Sequence, residues 1–142
     1  MGTRRAHVEG EFAYEHPIEV RFVDTDAFGH VNNAVYLSYL EAARFSWWRH
    51  VFGADGFTAN GFIVARIEID YRKAALPADR LIVRLKIDTI GTSSFAIKYE
   101  IANVRTRELI AEAKSVQVAY DYTAGRSIPI STDLRARLEA AL

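Results

Sequence analysis

Apolar and polar residues change their spacing several times along this chain, and each change predicts an element. The first 14 residues show no clean period. His16-Pro17 reads as extended chain, because the residue before a proline avoids the α region. Ile18, Val20 and Phe22 then alternate with Glu19, Arg21 and Val23, which predicts a strand over 18–23. At residue 34 the period lengthens. Val35, Tyr36, Tyr39, Leu40, Ala43, Trp47 and Val51 recur at spacings of three and four, with Ser38, Glu41, Arg44 and Arg49 between them. The spacing predicts a helix over 34–51, about 18 residues and ~27 Å long. Asn32 or Asn33 suits its N-cap, because a short amide accepts from the first free N–H groups. Gly53 suits its stop.

After a loop over 54–61, period two returns four times. Ile63, Ala65, Ile67 and Ile69 share one face of a strand over 62–71. Leu81, Val83, Leu85 and Ile87 do so over 81–90, and Phe95, Ile97, Tyr99 and Ile101 over 94–104. The last strand, 109–121, carries Ile110, Val116, Val118 and Tyr120. Turn-forming stretches separate the four, as in an antiparallel meander. A short terminal helix follows at about 131–141, with Ser131 or Thr132 as cap and Leu134, Leu138 and Leu142 in one stripe. One long helix followed by a run of strands argues an α+β fold, in which a curved antiparallel sheet covers the helix. An open sheet edge invites pairing with a second copy.

Composition narrows the functions. The 142 residues suit one domain, with a core over about 16–122. Formal net charge is zero, which gives no reason to expect nucleic acid or an anionic membrane as partner. No apolar run approaches the ~20 residues of a membrane helix, and no secretory signal is evident, so a cytoplasmic protein is expected. Cysteine is absent, which removes disulfides, thiolate metal sites and a cysteine nucleophile. There is no Gly-x-Ser-x-Gly elbow, Walker loop or dinucleotide glycine fingerprint.

Ionisable residues crowd into the stretch 24–33, between the first strand and the long helix. A helix N-terminus offers unpaired N–H groups and a positive dipole end, which can stabilise an anion that develops during a reaction. Asp26 could attack a carbonyl carbon or activate water for that attack. Asp24 and Asp26 serve equally well as turn and cap residues. His30 could orient a carboxylate or move a proton, or simply cap and pack. Asp26 and His30 are too few ligands for a metal, and His7, His16 and His50 are scattered, so none is expected. The N–H of Asn33 could act as an oxyanion donor while the amides cap the helix. Arg72-Lys73 reads as a solvated strand end.

The run from Val23 to Leu37, continued by Tyr39-Leu40-Glu41-Ala42-Ala43-Arg44, resembles the signature of hotdog-fold acyl-CoA thioesterases of the 4-hydroxybenzoyl-CoA type. Tyr71-Arg72-Lys73-Ala74-Ala75 and Ile90-Gly91-Thr92-Ser93-Ser94-Phe95 resemble later landmarks of that family. The resemblance implies a long central helix wrapped by a sheet of five to six strands, assembled as a homodimer or homotetramer. It implies hydrolysis of acyl-CoA, with no cofactor, by Asp26 as nucleophile or general base. His30 would assist, and the N–H near Asn33 would polarise the thioester carbonyl. Phe28, Asn32, Tyr36, Ser93 and Ser94 would bind substrate, the serines being supplied by a neighbouring subunit. Long-chain acyl-CoA and plant acyl-ACP thioesterases carry an Asp-x-Asn-x-His arrangement. Here Asp26 and His30 match it, and Phe28 stands at the Asn position. An acyl-ACP thioesterase, a non-catalytic acyl-CoA or acyl-ACP binding protein and a hotdog dehydratase are the alternative readings.

Overall fold

A computed structural model describes residues 12–54 and 61–142. The chain runs β1 (Tyr14–Glu19), a short 3-10 turn (Phe22–Asp24), α1 (Val35–Phe52), β2 (Phe62–Tyr71), β3 (Arg80–Ile90), β4 (Ser94–Asn103), β5 (Leu109–Asp121), β6 (Arg126–Ser127) and α2 (Thr132–Glu139). The strands form one antiparallel sheet in the order β1-β3-β4-β5-β2, with β6 paired to β5. Among the described residues β1 and β2 are therefore the two edges. β1 is short and carries Pro17, which lacks an N–H and blunts an edge. β2 is longer and has no proline.

Helix α1 buries Tyr36, Tyr39, Leu40, Ala43, Arg44, Trp47 and Trp48. The three-four spacing holds, but the buried face is wider than the apolar stripe. Arg44, expected on the polar side, is only 5% exposed. Its Nη1 donates to the Tyr99 hydroxyl at 3.3 Å, and Tyr99 shares a 2.6 Å hydrogen bond with Ser115. Ser115 donates in turn to Gln117 Oε1 at 2.7 Å. This polar chain revises the reading of β5. Ser115 and Gln117 are fully buried, whereas Val116, Val118 and Tyr120 are half-buried on the other face. Hydrogen bonds make burial of a hydroxyl and an amide tolerable where the sequence offers valines instead. Glu41, on the same helix, is exposed and forms no ion pair with Arg44.

On β3 the expected face (Leu81, Val83, Leu85, Ile87) is buried, as is Phe95, Ile97, Tyr99 and Ile101 on β4. On β2 the alternation breaks at a register shift between Val64 and Arg66, so Ile63 and Ala65 are exposed while Ile67 and Ile69 pack on the core. The terminal helix is capped by Ser131, whose Oγ accepts from Leu134 N–H at 3.1 Å. Leu134 and Leu138 are buried, and Leu142 is exposed.

The first strand lies earlier than the apolar pattern suggests. It pairs Tyr14–Glu19 with β3, and the chain then turns away. Phe22 and Val23 point outward, and Asp24, not an apolar residue, faces inward at 2% exposure. Arg21 holds Asp24 three times: its backbone N–H donates to Oδ2 at 2.9 Å, its Nη2 to Oδ1 at 2.8 Å and its Nε, at a longer 3.5 Å, to Oδ2. The Tyr39 hydroxyl donates to Oδ2 at 2.8 Å from inside α1. Burial by itself would raise the Asp24 pKa, but the Arg21 and Tyr39 hydrogen bonds outweigh it and hold the carboxyl below its ordinary range. Burial, with the same contact, pushes the Tyr39 phenol up.

A group with a depressed folded pKa adds stability above its unfolded value, and that stability is lost as pH falls through the folded pKa. Asp24 therefore helps hold the fold at neutral pH and stops doing so in acid. Tyr39→Phe removes one donor and is expected to cost about 1–3 kcal/mol in denaturant unfolding at neutral pH. The gap between wild type and variant narrows as pH drops below the ordinary aspartate range. A gap that stays constant through that range contradicts this role for Asp24.

Candidate active site

The segment after Asp24 is a tight loop closed by its own backbone. Thr25 and Val31 form an isolated antiparallel bridge. Asp26 N–H donates to the His30 carbonyl at 2.8 Å, and Gly29 N–H to the Asp26 carbonyl at 3.1 Å. Gly29 has φ +80°, a conformation glycine adopts without strain. The Asp26 side chain takes part: Oδ1 accepts from Phe28 N–H at 2.9 Å. The loop is fixed to the body by Asn32 N–H on the Asp24 carbonyl (2.9 Å) and Val31 N–H on the Ala75 carbonyl (3.0 Å). Asp24 thus anchors both the carboxylate two residues on and the start of α1.

The helix start differs in detail from the expected cap. Ala34 occupies the N-cap position, and no side chain caps the helix there. Asn32 acts from two residues upstream, its Oδ1 accepting from Ala34 N–H at 3.0 Å and its carbonyl from Val35 N–H at 2.9 Å. Asn33 N–H makes no hydrogen bond among the described residues. The Asn33 carbonyl accepts from the Tyr71 hydroxyl at 2.8 Å, which ties the end of β2 to the helix start.

A cleft of about 340 Å³ opens here, lined by Asp26, His30, Val31, Asn33, Tyr36, Tyr71, Arg72, Lys73 and Ala74. Four of the residues singled out in the sequence, Asp26, His30, Asn33 and Tyr36, meet in it. The His30 ring makes no hydrogen bond or ion pair with the Asp26 carboxylate; the two residues are joined through their backbones alone. Tyr36 is buried, and its hydroxyl accepts from Ala75 N–H at 3.2 Å. Burial raises the Tyr36 pKa, the Ala75 hydrogen bond opposes this, and nearby Tyr71, Asp79 and Asp26 add to the rise. Its phenol is therefore neutral at physiological pH, with its proton available to a ligand.

Phe28 and Asn32 do not line the cleft. Phe28 sits at the loop tip, 83% exposed, and Asn32 faces the helix start. Ser93 lies in the β3–β4 turn and Ser94 opens β4; their carbonyls accept from Ala119 N–H (2.8 Å) and Gly91 N–H (2.7 Å). Ser94 is opposite Val118, and Val118 is opposite Ile63. The cleft residue Tyr71 lies eight residues further along β2 than Ile63, a separation of about 26 Å along the strand. Within one chain the serines do not reach Asp26.

Arg72 and Lys73 join the cleft, contrary to their reading as a solvated strand end. Arg72 bonds Glu112 through Nε (3.0 Å) and Nη2 (2.9 Å), and Lys73 pairs with Glu108. Their place follows from the 72–76 segment crossing back to the 26–31 loop, a contact between distant parts of the sequence. The sequence signal for Tyr71 is its place at the head of the Tyr71-Arg72-Lys73-Ala74-Ala75 landmark, which does not mark it as a cleft residue.

The family model of the thioesterase-like superfamily matches residues 20–138. The long-chain acyl-CoA thioesterase FadM of Escherichia coli K12 is 31% identical over 127 residues, covering 86% of this chain and 94% of the relative. The acyl-CoA thioester hydrolase YbgC of Shigella flexneri is 30% identical and covers 74% of this chain and 80% of its own. A thioesterase of Thermus thermophilus, crystallised with coenzyme A and zinc, superposes with a TM-score of 0.83 at 34% identity, over 94% of this chain and 96% of that one. With the loop, the helix and the sheet order described above, these matches lead to one conclusion: the chain is a hotdog-fold member of the thioesterase-like superfamily.

Proposed function

We propose that the protein hydrolyses acyl-CoA to a free carboxylic acid and coenzyme A in the cleft at the start of α1. The observation that carries this reading is a single one. An exposed carboxylate, Asp26, shares a cleft with Asn33, whose N–H makes no hydrogen bond among the described residues. A thioester carbonyl lying on that N–H is polarised, and the oxyanion of the tetrahedral intermediate gains a hydrogen bond and the positive end of the helix dipole.

Asp26 has two routes from there. As a nucleophile its free oxygen adds to the carbonyl carbon, the C–S bond breaks, the thiolate of coenzyme A leaves, and water then opens the mixed anhydride. As a general base it takes a proton from water, the resulting hydroxide adds to the carbonyl, and the same C–S bond breaks. The Phe28 N–H on Oδ1 fixes the carboxylate rotamer and leaves Oδ2 to react. The neutral Tyr36 phenol is positioned to donate to substrate, and His30 to hold water or a polar group of the substrate.

The same reading includes a dimer through β2. That strand has β5 on one side and no strand on the other among the described residues, and it exposes Ile63 and Val64. Antiparallel pairing of two β2 strands about a two-fold axis would bring the Ile63 end of one copy beside the Tyr71 end of the other. Ser93 and Ser94 of the second copy would then approach the Asp26 cleft.

Asp26→Ala is expected to lower thiol release from acyl-CoA by at least about a hundredfold while leaving the unfolding midpoint near wild type. Full turnover in that variant overturns the mechanism. An acyl adduct on Asp26, trapped by rapid quench, identifies the nucleophilic route. For the dimer, Val64→Glu is expected to shift sedimentation towards monomer and to lower turnover together. A monomeric variant with full activity contradicts a shared site.

A further inference from the structure

A second cavity, larger than the cleft at about 560 Å³, is unused by the chemistry above. It lies along the middle of α1 and the start of β2. Its walls include the aromatic Phe45, Trp48, Phe62 and Tyr122 beside the aliphatic Ile63 and Val64, a mostly apolar lining. Trp48 and Phe62 pack edge to face at 4.6 Å between ring centres, so this wall is rigid. Tyr122 closes one side, its hydroxyl donating to the Phe62 carbonyl at 2.8 Å. Gly61 makes room for that ring, since a Cβ there would stand 2.9 Å from it.

One charged group is built into this apolar space. Arg44 lines the cavity at 5% exposure. Its hydrogen bond is the one from Nη1 to Tyr99, and no carboxylate pairs with it among the described residues. Among the described residues the one side-chain atom both sealed from solvent and unpartnered is Trp48 Nε1, so the Arg44 nitrogens without a partner reach solvent on a residue that lines the cavity. A guanidinium with open donors in an apolar cavity favours a ligand that brings an acceptor, because the hydrogen bond it then makes is charge-assisted. Glu41 stands on the rim but makes no ion pair with Arg44.

We infer that this cavity is a subsite for the far end of the acyl group, and that Arg44 selects acyl chains carrying an oxygen acceptor there, as a hydroxyl, carbonyl or carboxylate. The inference rests on the thioesterase reading. The cavity lies at the Ile63 end of β2, which the proposed dimer sets beside the Tyr71 end and the Asp26 cleft of the second copy, so an acyl group held at that cleft extends into it away from its thioester. Aromatic walls take the apolar body of the chain, and the guanidinium takes the oxygen. A site built to hydrogen-bond such a group discriminates strongly against the analogue that lacks it.

The test compares matched pairs of short, medium and long acyl-CoAs that differ only in a terminal hydroxyl or carboxylate. Wild type is expected to favour the oxygenated member in kcat/KM by about tenfold or more at one chain length. Arg44→Met is expected to bring the ratio of kcat/KM within each pair to about one, a readout that compares two substrates on one variant and so is independent of its absolute turnover. Tryptophan fluorescence titrations of wild type with the matching free acids give a second readout, which needs neither a variant nor turnover. Binding that favours the oxygenated acid by the same factor supports the subsite even if no thioester is cleaved, in which case the thioesterase reading alone fails. Equal kcat/KM and equal binding across every pair in wild type overturn the inference. So does a preference that survives in Arg44→Met, or a dimer structure in which a group of the second copy occupies the Arg44 nitrogens.

Discussion

Asp24 is a carboxylate at 2% exposure, held by Arg21 from its own turn and by Tyr39 from α1. Much of the geometry at the helix start follows from that contact. Its side chain joins the incoming turn to the helix, and its carbonyl accepts Asn32 N–H at 2.9 Å. Between those anchors the chain has just enough length for the Thr25–Val31 bridge and the loop that carries Asp26. A buried carboxylate is stable in such a place only when its charge is met by strong donors. Arg21 and Tyr39 supply these, so two aspartates two residues apart have different work. One is buried and holds the loop, and the other is exposed in the cleft.

A similar division runs along α1. Its first turn offers N–H groups and a neutral phenol to the cleft, and its middle buries a guanidinium in the Tyr99–Ser115–Gln117 network. Membership of the thioesterase-like superfamily accounts for the helix in the sheet and for the loop at its start. The polar network stands away from that loop, on the inner face of β4 and β5. It fixes where Arg44 lies, and hence what the larger cavity presents to a ligand.

Period and punctuation are enough for the long helix, the β3 and β4 faces and the Ser131 cap, because each depends on neighbours within a few residues. Contacts between distant residues are not readable in the same way. The run Ile18 to Val23 alternates well, yet the chain leaves the sheet after Glu19 because Asp24 is drawn inward by Tyr39. Ser115 and Gln117 are buried by partners on β4, which no local pattern of β5 reveals. Arg72 and Lys73 reach the cleft because the Ala75 carbonyl accepts from Val31 N–H, a contact between segments far apart in the chain. Spacing alone leaves Asp24 and Asp26 equivalent, and burial separates them.

The separation of those two aspartates is the centre of the account. The direct test measures unfolding midpoint and thiol-release turnover on Asp24→Asn and Asp26→Asn side by side. The account predicts a crossed result: Asp24→Asn lowers the midpoint, and Asp26→Asn keeps the midpoint and loses turnover. Loss of turnover without loss of stability in Asp24→Asn, together with an active Asp26→Asn, would contradict it.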